Sequence, residues 1–331
     1  MREIRRTTAR SPYFDELEVG QEFVTAPPVT LTSGLQATHG AIVGNRVRVA
    51  LDHHWATEVA GAPVAGPALV WDVSIGQSTV ATQHVRANLF YRGLWFSRQP
   101  RIGETLHTTT TVEALRENSR RQDREPTGLA VLRITTVDQL QRTILDYRRC
   151  AMLLLSPGAG PTGRDDEIAV PQSRPDAAGL FESVADWDLG ALTGMPSTSV
   201  HAGQRFDVLG GDVVSSAPEL ARLTGNLARV HHDAGAAGGA RLVYGGHTIG
   251  LAFHHVCQAL PDIVTVAGWH ACDHLAPVHE GDVLTSSLTV ETVDSHPSGI
   301  SALGLQVTTS RMAAGGEEEA VLSWSPVVIV A

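Results

Sequence analysis

The chain contains the same series of landmarks twice, in the same order, and an internal repeat restricts the architecture more than any single motif. Gly20-Gln21-Glu22-Phe23 leads through a polar segment to Ile42-Val43-Gly44-Asn45; Gly203-Gln204-Arg205-Phe206 leads through one of nearly equal length to Leu223-Thr224-Gly225-Asn226. Asp52 follows Gly44 by eight positions, and Asp233 follows Gly225 by eight. Each half then reaches a glycine turn, at Gly66 and at Gly245-Gly246, which opens an apolar run. In the first half this run is Pro67 to Val80, with proline at the first helical position, where its missing N–H leaves no bond unmade. In the second it is His247 to Leu260, with Ile249, Phe253, Val256 and Leu260 at helical spacing.

A strand-rich tail follows each predicted helix. Ile102-Gly103-Glu104 corresponds to Glu280-Gly281-Asp282, and these turns open alternating Thr and Val runs at 107–113 and 285–293. Further strands are expected at 128–136, 143–155, 299–309 and 319–330. The repeat divides the chain into an N-terminal unit at 1–155, a linker at 156–185 and a C-terminal unit at 186–331. The linker is rich in Pro, Gly, Asp and Arg. The fold class is α+β, with one long helix packed on an antiparallel sheet, repeated in tandem. Pairing the two sheets edge to edge would cover strands that otherwise invite aggregation.

Composition removes several classes of function. A formal net charge of -10 over 331 residues argues against a nucleic-acid partner, which needs a surplus of Lys and Arg on one face. Arg2, Arg5, Arg6 and Arg10 read as a solvated tail without the apolar run of a signal peptide. No window approaches the roughly 18 apolar residues that span a bilayer, so a cytoplasmic protein without membrane contact is expected. Cys150, Cys257 and Cys272 are too few and too irregularly spaced for a disulfide framework and read as reduced thiols.

The chemistry concentrates in Gly225-Asn226-Leu227-Ala228-Arg229-Val230-His231-His232-Asp233 and in Val243-Tyr244-Gly245-Gly246-His247. A polar side chain, a histidine five positions later and backbone amides at a helix start can together manage a water, a proton and a developing negative charge. At the matching point of the first half, Ala50 stands where His231 would be, and alanine has no proton to exchange. That half reads as a degenerate copy. His53 and His54 lie just beyond it and read as polar loop residues.

With both halves taken together the chain resembles the MaoC-like dehydratases, the (R)-type enoyl-CoA hydratases with a double hotdog fold. Within that family it is most similar to the mesaconyl-CoA hydratases, also called β-methylmalyl-CoA dehydratases. The family's motif Gly-Asp-x-Asn-Pro-Ile/Leu-His-x-Asp maps onto Gly225 to Asp233, with His231 in the histidine's place. Asn226 replaces the family's aspartate, and Ala228-Arg229 replaces the Asn-Pro pair. The resemblance implies a cofactor-independent hydro-lyase that adds water reversibly to an enoyl-CoA.

In that scheme His231 moves the proton, Asn226 orients the water, and the amides at Gly245 and Gly246 receive the enolate charge. Gly245, Arg229, Tyr244, His247 and Asp233 are the expected substrate-binding residues. Arg229 is the cation nearest in sequence to His231 for a second substrate carboxylate. A homodimer is the expected assembly, although the duplication already supplies the pairing that single-hotdog relatives gain by dimerising. A hotdog acyl-CoA thioesterase and a non-catalytic acyl-CoA-binding protein are the alternatives. No metal site is expected: His270, Cys272 and His274 alternate along one stretch but read as a partly buried strand. The literal GxGxxG at Gly158 to Gly163 contains a proline and opens no helix. His254-His255 read as helix-packing residues.

Overall fold

The computed structural model describes residues 10–170, 175–192, 199–312 and 316–331. Arg2, Arg5 and Arg6 of the basic amino end and the 171–174 part of the linker lie outside the described residues. The first half runs β1 (Glu22–Phe23), β2 (Val29–Thr30), α1 (Ser33–Val43), α2 (Arg48–Leu51), α3 (His53–Ala60), α4 (Pro67–Ser78), β3 (Val85–Phe96), β4 (Thr105–Glu117), β5 (Thr127–Val137) and β6 (Thr143–Leu154). The second runs β7 (Arg205–Asp207), β8 (Asp212–Val213), α5 (Ala217–Leu223), α6 (Gly245–Ala259), β9 (Ile263–His274), β10 (Val283–Ser295), β11 (Ser301–Met312) and β12 (Glu318–Val330).

The strands form one sheet in the order β1-β4-β5-β6-β3-β9-β12-β11-β10-β7, with β2 on β4 and β8 on β10. Read outward from the antiparallel β3–β9 seam, the two sides repeat the same order, so the halves are joined edge to edge. In β4 and β10 buried and half-exposed residues alternate, as the Thr and Val pattern requires of a sheet with one face covered.

The covering layer is the pair of long helices. Every residue of α4 is buried, and a helix apolar nearly all round must be enclosed. Trp71 of α4 packs edge-on against Phe253 of α6 and against Trp269 and Trp324 of the second half's strands, at ring separations of 5.6, 5.2 and 6.2 Å. The polar side chains of α4 are matched inside the protein: the Ser74 hydroxyl pairs with Thr136 and Tyr147, and the Gln77 amide donates to the carbonyls of Pro27 and Leu106.

Several elements differ from the sequence expectation. Helix α6 begins at Gly245 itself, because the glycine pair belongs to the first turn. The polar segment between Phe23 and Ile42 holds most of α1, and the motif copy and the residues after it form the short helices α2 and α3, so His53 and His54 lie in a helix rather than a loop. Thr32 caps α1 through the Leu35 N–H, and the repeat's Asp52 caps α3 through the Trp55 N–H at 3.0 Å. Strand β3 escaped notice because its pairing with β6 shifts register at several points, which breaks the alternation a regular strand shows. His255 does pack α6 onto the sheet, pairing with Ser286 and Asp212. The three cysteines are free and buried. Among the described residues no helix is long and apolar enough to cross a membrane.

Candidate active site

A cavity of about 470 Å³ lies between the two halves. The first half contributes Ile75, Thr79 and Thr82 from the end of α4 and the turn after it, the 85–89 stretch and Tyr91 of β3, and Arg149 of β6. The second contributes Asn226, Ala228, Val230 and His231, the approach to α6 from Leu242 to Gly245, Thr248, and the segment from His274 to His279.

His231 sits in a one-turn helix, Arg229–His231, whose entry is shaped by Asn226: the Asn226 Oδ1 accepts the Ala228 N–H at 2.9 Å. The loop is tied to the first half at two points. The Leu227 N–H donates to the Thr79 hydroxyl at 2.8 Å, and the Arg229 N–H donates to the Gln83 carbonyl at 3.1 Å. The half whose motif copy lacks the histidine therefore holds the motif loop of the half that has it.

The His231 ring donates from Nδ1 to the Leu242 carbonyl at 2.8 Å, and because a carbonyl only accepts, the proton is on Nδ1 and Nε2 is left as the basic nitrogen. Burial pushes the His231 pKa down to about 4; the Leu242 carbonyl opposes the fall, while the charges of His232, Arg149 and His274 add to it. At neutral pH the ring is an uncharged base. With its Oδ1 committed to Ala228, Asn226 presents its amide N–H groups as donors.

Tyr244 stands beside His231, with ring centroids 5.8 Å apart, and its hydroxyl donates to the backbone carbonyl and the carboxylate of Asp72 at 3.1 and 3.3 Å. Asp72 in turn meets His39 Nε2 at 2.8 Å. Burial drives the Asp72 carboxyl upward, and the bonds from His39 and Tyr244 oppose that rise. This chain of side chains runs from the cavity wall into α1 and α4. His274 also lines the cavity; burial lowers its pKa to about 4, and its Nε2 has no hydrogen-bond partner. Gly245 makes room for that ring, since a Cβ there would lie 2.6 Å from the His274 Nε2.

Of the residues expected from the sequence, His231, Asn226, Tyr244 and Gly245 meet on the cavity wall. Gly246 does not line it: its α-carbon faces Asp72, and a Cβ would come within 2.0 Å of the Asp72 Oδ1. His247 is fully buried behind the wall with both ring nitrogens unpartnered, and burial lowers its pKa to about 4. Arg229 and Asp233 correct the expectation most clearly. Four positions apart on the outer side of the motif turn, they pair with each other at 3.5 Å with both side chains about half exposed, away from the cavity. Arg149, His274 and the Asp72–His39 pair were missed. A strand arginine and a helix aspartate carry no local signal of a site, and His274 was noticed only as part of an alternating run.

Two helix-on-sheet units sharing one sheet, with the cavity at their junction, define a double-hotdog protein. The chain belongs to the MaoC-like dehydratase family. No family model matches it. It is 46% identical to Rv0216 of Mycobacterium tuberculosis, a conserved hypothetical protein described as essential for bacterial survival during infection and as having a double hotdog fold; the match covers 96% of this chain and 98% of that one at a TM-score of 0.86. The β-methylmalyl-CoA dehydratase of Chloroflexus aurantiacus is 27% identical over 82% of this chain and 80% of its own. The mesaconyl-CoA hydratase of Cereibacter sphaeroides is 25% identical over 90% and 89%. A putative MaoC domain dehydratase from C. aurantiacus, 23% identical, shares the fold at a TM-score of 0.84 over 98% of this chain and 99% of its own.

Proposed function

We propose that this protein is a hydro-lyase that adds water reversibly to an enoyl-CoA thioester, with mesaconyl-CoA, giving β-methylmalyl-CoA, as the favoured substrate. The observation that carries the reading is His231: a neutral imidazole with its tautomer set by the Leu242 carbonyl, on the wall of the cavity between the halves, which Asn226 also lines. The names of the two curated relatives support the substrate.

A water held by the Asn226 amide gives a proton to His231 Nε2 as its oxygen bonds to the β-carbon, and the displaced electron pair moves to the thioester oxygen. His231 then returns the proton to the α-carbon, so one water is added and the imidazole ends as it began. An amide does not take up a proton at neutral pH, so His231 acts without the second base that an aspartate at position 226 would supply. The enolate oxygen is received by the amide at Gly245, which lines the cavity, since the first N–H groups of a helix have no partner within it and sit at its positive end. One such donor is typically worth roughly 3 kcal/mol in the transition state. In this reading residues 186–331 carry the chemistry, and residues 1–155 shape the cavity and hold the motif loop.

The test is a panel of enoyl-CoAs followed by loss of enoyl-thioester ultraviolet absorbance, with His231→Ala as the control. The variant should lose about a hundredfold or more in turnover while keeping its melting temperature. Unchanged turnover would sink the assignment. Release of free thiol would indicate a thioesterase, and tight binding without turnover a non-catalytic acyl-CoA-binding protein.

A further inference from the structure

Arg149 is a buried cation without a counter-charge. It is 3% exposed and lines the cavity. Its Nη2 donates to the Ser78 carbonyl at 3.3 Å and to the Thr82 hydroxyl at 2.7 Å, which anchors the guanidinium at the C-terminal end of α4. Among the described residues its Nε has no partner, its Nη1 shows no hydrogen bond, and no carboxylate forms an ion pair with it. Guanidinium stays protonated in proteins, and an enclosed charge that two neutral oxygens only partly satisfy is costly unless an anion joins it. The other arginine on the cavity wall, Arg86, is already matched by Glu125 and by the Ala236 carbonyl.

We infer that the cavity takes an acyl group bearing a second carboxylate and that Arg149 is the residue that binds it. The inference rests on the enoyl-CoA reading for the thioester end of the ligand and on Arg149 alone for the anionic end. Arginine suits the task because its planar N–H groups direct charge-assisted hydrogen bonds at carboxylate oxygens. The phosphates of CoA are the other anions such a ligand brings. They are separated from the thioester by the whole pantetheine arm, whereas the charge of Arg149 is felt at His231 and Tyr244, beside the reacting carbons. Arg149 thus takes the role that sequence proximity assigned to Arg229. It reaches the site from the opposite half because the β3–β9 seam brings β6 to the second half's motif loop.

The experiment compares the wild type with Arg149→Gln and Arg149→Lys in two assays. In the first, the ratio of kcat/KM for mesaconyl-CoA over crotonyl-CoA, which lacks the second carboxylate, should fall about a hundredfold in Arg149→Gln, with Arg149→Lys in between. In the second, calorimetry with succinyl-CoA and butyryl-CoA, which contain no double bond to hydrate, should show the same loss of preference. Mesaconyl-pantetheine, free of phosphates, should show the same fall as mesaconyl-CoA.

An equal loss for both substrates would make Arg149 a clamp on α4 or an enolate ligand and overturn the inference, as would an effect that vanishes without the phosphates. If the wild type turns over no enoyl-CoA, the hydratase reading fails, while the succinyl-CoA and butyryl-CoA comparison still decides the role of Arg149. If Arg149→Gln does not fold, a wild type that binds succinyl-CoA no better than butyryl-CoA refutes the inference by itself.

Discussion

Acidification tests the state of His231 most directly. Enclosed in the cavity wall, the ring has its pKa displaced from 6.5 to about 4, which corresponds to about 3 kcal/mol in favour of the neutral form. A base with that pKa is about nine-tenths unprotonated at pH 5, whereas a solvent-exposed histidine near 6.5 would be only about 3% unprotonated, a difference of about thirtyfold. The sign follows from the role: the active form is the unprotonated one, so kcat/KM is held at higher pH and lost as pH falls through the pKa of the folded protein. Initial rates of crotonyl-CoA hydration, followed by ultraviolet absorbance after rapid transfer from pH 7.5 to values down to 5, should stay within a few tens of per cent of the starting rate. Tryptophan fluorescence at each pH checks that the fold persists over the assay. An inflection near 6.5, with a fall of about thirtyfold by pH 5, would refute the claim that the catalytic base is a buried, neutral His231.

Two further outcomes test how the site is built. Gly76→Ala should lower stability by about 1–3 kcal/mol and reduce turnover, because the new Cβ would lie 1.9 Å from the Thr224 backbone oxygen, next to the loop that carries Asn226; a wild-type melting curve would show that this contact is not tight. His247 has its pKa lowered from 6.5 to about 4 by burial, so as pH falls the unfolded chain takes up the proton first. Its contribution to stability is complete above pH 6.5 and is lost progressively toward pH 4, to about 3 kcal/mol. Urea midpoints between pH 7.5 and 5 should fall less steeply in His247→Leu than in the wild type; equal slopes would refute the assignment.

Much of the frame was legible in the chain because its signals are local. The glycine turns, the apolar runs after them and the Thr and Val alternation each act within a few residues, and the repeat showed them twice. Strand β3 was not legible, since irregular register with β6 removes the period of two. In the site, His231 stood out because its own degenerate copy carries Ala50 at the same point. Asp233 could not be judged from its spacing. Its counterpart Asp52 is a helix cap, and Asp233 itself faces solvent beside Arg229.

The sequence by itself determined the duplicated α+β plan and the two long helices and singled out His231 as the candidate base, because periodicity, turn chemistry and comparison of one half with the other are properties of the chain alone. Only the tertiary structure decided which groups surround that base. Arg149 comes from a strand of the first half, Tyr244 is held by Asp72 across the helix pair, and His274 enters from the end of the seam strand. Burial, which holds His231 as a neutral imidazole and encloses Arg149 with no carboxylate among the described residues to pair it, depends on both halves closing over the same space, and no stretch of sequence carries that information.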